Sequence, residues 1–503
     1  QTITTLPPAV IADCMLHRNR VVRIVLSDKN TDPAYDVLAV YMDHGPDTGI
    51  YVTDEVSIRV LAREYNYSIT LKEFDLVMSA LGDNAPRVMV NTDRDLVAVN
   101  NGIFDYKSKQ LLPFTPEVVF TAKSAVDYKE NPVNPVIHND ADGTDWDIES
   151  WMADLNDDPE IVNLLWEIMS AIIRPNVAWD KTAWLLSEVG NNGKGTLLTL
   201  MRNLCGERAW TSIPVADFGK DFHLEPLIRT NAVLVDENDV GEYVDKAANI
   251  KAVITNDVIL INRKNKVPIA YQFRGFMVQC VNDTPRFRDK SGSLYRRQLI
   301  IPFNKSFTGA ERKYIKQDYM HRTEVLEYVL HRVLSGSFYE LSEPAAVKMA
   351  LHQYKIENDP VRAFVEEFLD RMVWDLLPWR FLYALYRAWL VKDQPSNPPL
   401  GYNKFIKHLT LVLQDTPDEG KNWIVTPAAV RTQNRIVGDE PLAVGYDLSD
   451  WIDLQPVGGS MRKIGIPHNM PISTRGLLRA TAASTIGVTD DDQDDPSSSN
   501  AVN

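Results

Sequence analysis

Glu188-Val189-Gly190-Asn191-Asn192-Gly193-Lys194-Gly195-Thr196 stands between an apolar run, Thr182-Ala183-Trp184-Leu185-Leu186, and a stretch where Leu197, Leu198, Leu200, Met201, Leu204 and Cys205 recur with helical period before Gly206. The order strand, glycine-rich loop, helix is what a phosphate-binding Walker A loop needs. Gly190 and Gly193 let backbone N–H groups turn toward phosphate oxygens with no Cβ in the way. The helix N-terminus adds the positive end of its dipole, and Lys194 can reach the β- and γ-phosphates. The implied ligand is ATP with Mg2+, held by Gly190, Asn191, Asn192, Gly193, Lys194, Gly195 and Thr196. Two positions depart from the G-x-x-x-x-G-K-[ST] pattern: Glu188 replaces the first glycine, and Gly195 replaces the hydroxyl residue that binds magnesium. Thr196 offers a hydroxyl one position on, where its side chain is turned by about 100° around the helix.

Working outward, Ala232-Val233-Leu234-Val235 runs into Asp236-Glu237, an apolar strand that ends in two acids. Asp236 is the candidate magnesium ligand, together with Thr196, and Glu237 the group that polarises the attacking water. Phe276-Met277-Val278-Gln279-Cys280-Val281 reads as another buried strand, ending at Asn282. An amide there can sense the γ-phosphate, the task called sensor 1 in AAA+ proteins, or equally start the turn Asn282-Asp283-Thr284-Pro285. Arg296-Arg297 precedes the strand-like Gln298–Phe303 and supplies two candidates for an arginine finger, with nothing in the sequence to choose between them.

The rest of the chain sets the frame. At 503 residues it exceeds one hydrophobic core, and cores stop growing near ~250 to 300 residues. No apolar run nears the ~20 residues needed to cross a bilayer, so a cytoplasmic protein with no membrane partner is expected, in the host cytoplasm if phage-encoded. Three distant cysteines give neither a disulfide framework nor a zinc site. Net charge −15 disfavours nucleic acid only if it is evenly spread. Five acids, Asp490, Asp491, Asp492, Asp494 and Asp495, sit in a tail that reads as disordered, whereas the stretch from Arg263 to Arg297 is strongly basic. Within it, Ile259-Leu260-Ile261-Asn262-Arg263-Lys264-Asn265-Lys266-Val267-Pro268-Ile269 has a hairpin pattern.

The expected fold class is α/β. It comprises an α+β N-terminal domain over 1–140, a helical linker or collar over 141–180, and an AAA+-like P-loop ATPase core over 181–307. A mainly helical C-terminal domain over 308–455, winged-helix-like or a bundle, and an extended acidic tail over 456–503 complete it.

The order of these motifs resembles the superfamily 3 DNA helicases of the phage, plasmid and poxvirus primase-helicase type. The resemblance continues upstream, where Leu96-Val97-Ala98-Val99-Asn100-Asn101-Gly102-Ile103-Phe104-Asp105 is similar to a stretch that precedes the helicase core of that family. It covers roughly residues 90–305. It implies a homo-hexameric ring with ATP sites at subunit boundaries, translocation on single-stranded DNA, and action at forked DNA in phage or plasmid-type replication. It also implies a pore hairpin with Arg263, Lys264 and Lys266 on DNA. Residues 1–140 carry no closely spaced Asp-x-Asp or Asp-x-Glu pair beside a His on a convincing strand, Asp93-Arg94-Asp95 lying next to the stretch similar to the helicase family, and no zinc-ribbon cysteines, so the expected partner is a separate primase or polymerase. The rival readings are an AAA+ ATPase that melts DNA without processive unwinding, and a DNA-binding scaffold with a degraded P-loop. Among the C-terminal helices, Lys404, Lys407 and His408 are the residues a winged helix would present to duplex DNA.

Overall fold

Alternating apolar residues in the first strand serve two cores at once. Val22 and Ile24 face one cluster with Trp184, Val233 and Ile250, while Val21 faces another with Ile11, Ile58 and Phe74. That period of two is the mark of a sheet covered on both faces. The sheet belongs to an N-terminal α+β layer made of α1 (Pro8–Arg18), β1 (Val21–Val25), β2 (Val37–Tyr41), β3 (Tyr51–Val52), α2 (Glu55–Tyr65), α3 (Leu71–Asn84) and β4 (Arg87–Met89). Its strand order is β3-β2-β1-β4. Thr70 caps α3 in a full capping box with Glu73, which fixes where that helix starts.

The protein is seen here as a computed structural model that describes residues 5–29, 31–238, 247–264, 266–283, 285–287, 292–394, 398–415, 422–457, 460–467 and 469–483. The chain forms two compact units, Gln1–Tyr354 and Lys355–Asn503. In the first, the N-terminal layer is followed by the meander β5 (Leu96–Val99), β6 (Gly102–Asp105) and β7 (Gln110–Leu112), then the hairpin β8 (Ile137–Asn139) and β9 (Thr144–Trp146). Asn100 and Asn101 form the turn between β5 and β6. Asn101 exchanges hydrogen bonds with the Tyr128 backbone at 3.0 and 2.9 Å, and Asn100 Nδ2 donates to Asp127 at 2.7 Å. The two amides thus tie the hairpin to the segment after it.

Helices α4 (Ile148–Asp154) and α5 (Pro159–Ala171) lead to the central sheet, β10 (Thr182–Leu186), α6 (Lys194–Cys205), β11 (Trp210–Thr211), β12 (Ala232–Val235), α7 (Ala247–Ile254), the hairpin β13 (Val258–Arg263) and β14 (Lys266–Gln272), β15 (Phe276–Val281), α8 (Gly292–Tyr295) and β16 (Gln298–Pro302). Five of these strands form one sheet in the order β11-β12-β15-β10-β16, every neighbour parallel. The strands are near-continuous apolar runs, as a sheet buried on both faces requires, and β12 and β15 are buried at every position. Helices α9 (Lys313–Gln317), α10 (Thr323–Ser335) and α11 (Ala345–Asn358) close the unit. One core cluster joins Val97, Trp146, Leu165, Leu198, Val278, Ile301 and Val333. The positions 140, 180 and 307, at which composition suggested boundaries, therefore lie inside one packed unit.

The second unit runs α12 (Pro360–Phe368), β17 (Leu376–Pro378), α13 (Trp379–Asp393), α14 (Tyr402–Asp415), β18 (Trp423–Val425), β19 (Val430–Arg431), β20 (Asp453–Val457), β21 (Ser460–Ile464), β22 (Ser473–Thr474) and β23 (Gly476–Arg479). The last strand lies between the other two of its sheet, β17-β23-β18, both antiparallel to it, with Leu477 and Leu478 buried. The described residues of 456–483 are thus not an extended tail. The short apolar run Leu477-Leu478 supplies the middle strand of this unit, too brief to stand out in the sequence. The aspartate-rich stretch falls outside the described residues.

Gly275 lets β12 and β15 approach each other, because a Cβ there would lie 1.8 Å from the Asn231 carbonyl oxygen, which accepts a hydrogen bond from the Phe276 N–H. Gly275→Ala is expected to destabilise the first unit by about 1–3 kcal/mol through backbone displacement. Urea unfolding followed by tryptophan fluorescence checks this.

Candidate functional site

Parallel pairing in register brings the polar ends of three neighbouring strands to one edge. Leu186 of β10 is opposite Val281 of β15, and Val235 of β12 is opposite Gln279. Ser187, Asp236 and Asn282 therefore follow their strands along one carboxyl edge. After β10 the chain crosses to β11 at the far side, returns through β12 and β15, and passes over β10 to β16. Open α/β sheets bind ligands outside the carboxyl ends of strands where the winding reverses in this way.

Lys194, first residue of α6, is drawn to that edge. Its ammonium donates to the Val281 carbonyl at 3.0 Å, to Asn282 Oδ1 at 3.0 Å and to the Ser187 carbonyl at 3.4 Å. Burial pushes its pKa below the usual lysine value, with Cys280 and Asp236 pulling the other way. Burial likewise raises the Cys280 thiol to about 12, so this cysteine is an inert apolar wall. All three cysteines are free.

The loop before Lys194 is held by its own side chains. Asn191 and Gly193 adopt left-handed backbone, at φ 56° and 86°. At Gly193 the positive φ favours glycine, and a Cβ would also lie 2.6 Å from a terminal methyl of Leu155, which would have to shift. Asn192 accepts from the Lys194 N–H at 3.2 Å through Oδ1 and donates to the Val189 carbonyl through Nδ2. A cavity of about 780 Å3 opens over the loop, with Asn191–Gly193, Gly195 and Thr196 on one side and the segment from Phe307 to Lys316 on the other. The Lys194 ammonium is engaged at the strand edge rather than in this cavity.

The direction a side chain would take at 195 decides where a metal ligand could stand. A Cβ on Gly195 would be 3.5 Å from Asp236 Oδ1, whereas Thr196 is one position further on, in the cavity wall. The loop thus aims a hydrogen atom, not a hydroxyl, at Asp236. Asp236, with exposed Glu237 next in sequence, still offers what Mg2+ takes from proteins, one or two carboxylates completed by phosphates and water. Among the described residues no group of three or more His, Cys, Asp or Glu is placed to hold a metal.

Two features of the site were not legible in the sequence. Asn238 Nδ2 donates to Gln279 Oε1 at 2.9 Å and to the Cys280 carbonyl at 3.0 Å, while its Oδ1 accepts from the Val215 N–H at 2.9 Å. It pins the chain just after Asp236-Glu237 to β15. Its signal is only an Asn after two acids. The second is the segment beyond Phe307, whose N–H donates to the Asn191 carbonyl at 2.8 Å, and whose Glu311 accepts from Asn191 Nδ2 at 2.9 Å. A charged helical run carries no mark of such a role.

The remaining predicted residues lie elsewhere. Arg296 and Arg297 precede β16 at the amino edge of the sheet, where the Thr182 N–H donates to the Arg297 carbonyl at 2.8 Å. Strands of five residues separate them from Lys194, about 16 Å along the sheet. Arg297 is bonded to the Ser293 carbonyl, and Arg296 is exposed without a side-chain partner among the described residues. The expected hairpin is present as β13 and β14. Arg263 bends back onto the Val267 carbonyl at 2.8 and 3.1 Å, and Lys264 stands exposed in the turn. Asn265 and the Lys266 side chain lie outside the described residues, as do Arg288 and Lys290. Arg274, counted with the basic stretch, pairs with Asp28 at 3.0 Å. In the second unit Lys404 and Lys407 are exposed, but His408 is not presented outward. Its Nε2 contacts buried Asp359 at 2.6 Å.

Three family models match segments of the chain: "D5 N terminal like" over residues 74–157, a family of unknown function (DUF5906) over 185–297, and "Poxvirus D5 protein-like" over 356–436. In sequence, D5-like segments thus precede and follow the strands of the central sheet. No curated protein matches. Among solved structures, the A-form apo structure of the NrS-1 C-terminal region is 14% identical and covers 91% of this chain and 100% of that one, at a TM-score of 0.43. The apo structure of NrS-1 residues 305–718 is 13% identical, covering 92% and 99%, at a TM-score of 0.42. Among the described residues no helix is long and apolar enough to cross a membrane.

Asn238→Ala removes three hydrogen bonds from the segment behind Asp236 and Glu237. It is expected to cost about 1–3 kcal/mol, because Gln279 then loses a buried partner. Chemical denaturation checks the cost, and faster hydrogen exchange of the Val215 amide checks its origin.

Proposed function

We propose that this chain is an ATP-driven DNA helicase of the superfamily 3 type, acting in DNA replication as a homo-hexameric ring on single-stranded or forked DNA. The observation that carries the reading is the shared strand edge, where Lys194 bonds to Asn282 at 3.0 Å beside Asp236, at the point where the sheet's winding reverses. The D5-like segments agree with the poxvirus-type resemblance of the motifs.

In this reading the ATP phosphates lie over the α6 N-terminus, in the loop from Gly190 to Thr196. Lys194 exchanges its bonds at the strand edge for the β- and γ-oxygens. Mg2+, when bound, neutralises the phosphates, and Asp236 would hold it. Glu237 takes the water's proton, and Asn282, freed from Lys194, aligns that water. Arg296 and Arg297 are too far from their own chain's Lys194 to help it, so a finger from this pair serves a neighbouring subunit. Arg296 is the better choice, because Arg297 is engaged by Ser293. On the hairpin Lys264 is the exposed phosphate contact. In the second unit the order helix, strand, two helices and two more sheet strands supports the winged-helix reading, with Lys404 and Lys407 outward. A DNA-binding scaffold without turnover is favoured by Gly195 alone. ATPase activity with and without single-stranded DNA, paired with strand displacement, separates the readings: DNA-stimulated hydrolysis with unwinding supports the helicase, hydrolysis without unwinding the melting ATPase, and neither the scaffold.

Lys194→Ala is expected to abolish hydrolysis, and Glu237→Gln to bind ATP while turning over at least about 100-fold more slowly. Steady-state phosphate release and nucleotide binding check both. Mixing Lys194→Ala subunits with Arg296→Ala subunits restores activity if the finger acts in trans, and mixtures shown to form rings yet remain inactive contradict it. Lys264→Ala is expected to keep basal hydrolysis, lose unwinding and flatten the salt dependence of single-strand binding. Each phosphate contact contributes a log-log slope of about −0.7.

A further inference from the structure

The absent side chain at position 195 leaves a space that another residue enters. A Cβ there would lie 3.2 Å from Lys316 Nζ, closer than the 3.5 Å to Asp236 Oδ1. Lys316 belongs to α9, in the segment that faces the glycine loop across the 780 Å3 cavity, and it lines that cavity with Gly195 and Thr196. Among the described residues it has neither an ion-pair nor a hydrogen-bond partner. An ammonium on a flexible stem, held over the first turn of a helix and beside a carboxylate, is placed to meet an anion there. A serine or threonine at 195 would direct its hydroxyl at the same place and would crowd the amine.

Resting on the nucleotide reading of this site, we propose that Lys316 is a phosphate-binding residue that takes the place of the missing loop hydroxyl. Its charge meets the bound phosphates from the α9 side, while Lys194 meets them from the strand edge. The hydroxyl of an ordinary loop acts by holding the metal that neutralises the phosphates. Here a side-chain cation supplies part of that charge directly, and the metal keeps Asp236. The altered loop is then a working variant whose second cation comes from about 120 residues downstream, as the positions 195 and 316 show.

The test is calorimetric ATP binding by the whole chain, in EDTA and in millimolar Mg2+. It compares the parent with Lys316→Ala, Lys316→Arg, Lys194→Ala and the double variant Lys316→Ala/Gly195→Ser. Lys316 is exposed, so its replacement leaves the fold intact, and the arginine variant, which retains the charge, keeps binding. Loss of one charge-assisted contact weakens binding about tenfold in both buffers for Lys316→Ala. The added serine, which in an ordinary loop acts mainly by holding the metal, recovers more of the loss in Mg2+ than in EDTA. Parent-like binding by Lys316→Ala in both buffers overturns the proposal. Tighter binding by that variant in Mg2+ does so as well, since the amine would then be competing with the metal for Asp236. Failure of the underlying reading looks different: the parent binds no ATP, or Lys194→Ala binds it as well as the parent does. Loss with Lys194→Ala but not with Lys316→Ala overturns the role of Lys316 alone.

Discussion

A buried ammonium needs oxygens around it, and the Lys194 side chain finds them only because β10 and β15 end level with each other. Its three acceptors, Ser187, Val281 and Asn282, come from those two strand ends, and the register Leu186 to Val281 fixes their spacing. A slip of one residue would exchange the side chains that meet the two buried faces and carry Asn282 off the edge. Much else serves that register: the close approach at Gly275, the apolar runs of β12 and β15, and the core that joins α4 to α6 and α10 to the sheet. Burial lowers the lysine's affinity for its proton. The charge is kept at a cost that, in the proposed nucleotide reading, a bound phosphate would offset.

The elements that frame the candidate site, its strand ends and its loop, were legible in the sequence because their signals are local. An apolar run that stops at Asp236 or Asn282 announces a strand end, and a glycine loop followed by a helical period announces what lies between. The sequence could not give the side-chain direction at 195 relative to Asp236, because that depends on how α6 is rotated against β12. It also could not give Asn238, whose hydrogen bonds span long separations, or the position of the Lys316 amine over Gly195. Likewise the two candidate arginines look alike as Arg296-Arg297. Only the helical carbonyl of Ser293 distinguishes them.

Domain boundaries were less legible, for a related reason. Composition changes near 140, 180 and 307, but a domain is defined by where buried contacts stop. Here Val97, Trp146 and Val333 share one cluster. Conversely, the middle strand of the second unit is four residues, Gly476–Arg479, far along the chain from both strands it joins. Four residues carry no usable period, and only pairing with Leu376–Pro378 and Trp423–Val425 makes them a strand. Likewise His408 sits on a helix face whose charge pattern reads as exposed, yet buried Asp359 draws it inward.

The claim on which the account rests is that the edge shared by β10, β12 and β15 is a nucleotide site. A structure of the chain solved with a non-hydrolysable ATP analogue and Mg2+ tests it most directly. The account predicts the terminal phosphates over the α6 N-terminus, with Lys194 Nζ moved from Asn282 onto their oxygens and the metal beside Asp236. An analogue bound elsewhere, or Lys194 still bonded to Val281 and Asn282 at saturating analogue, would contradict it.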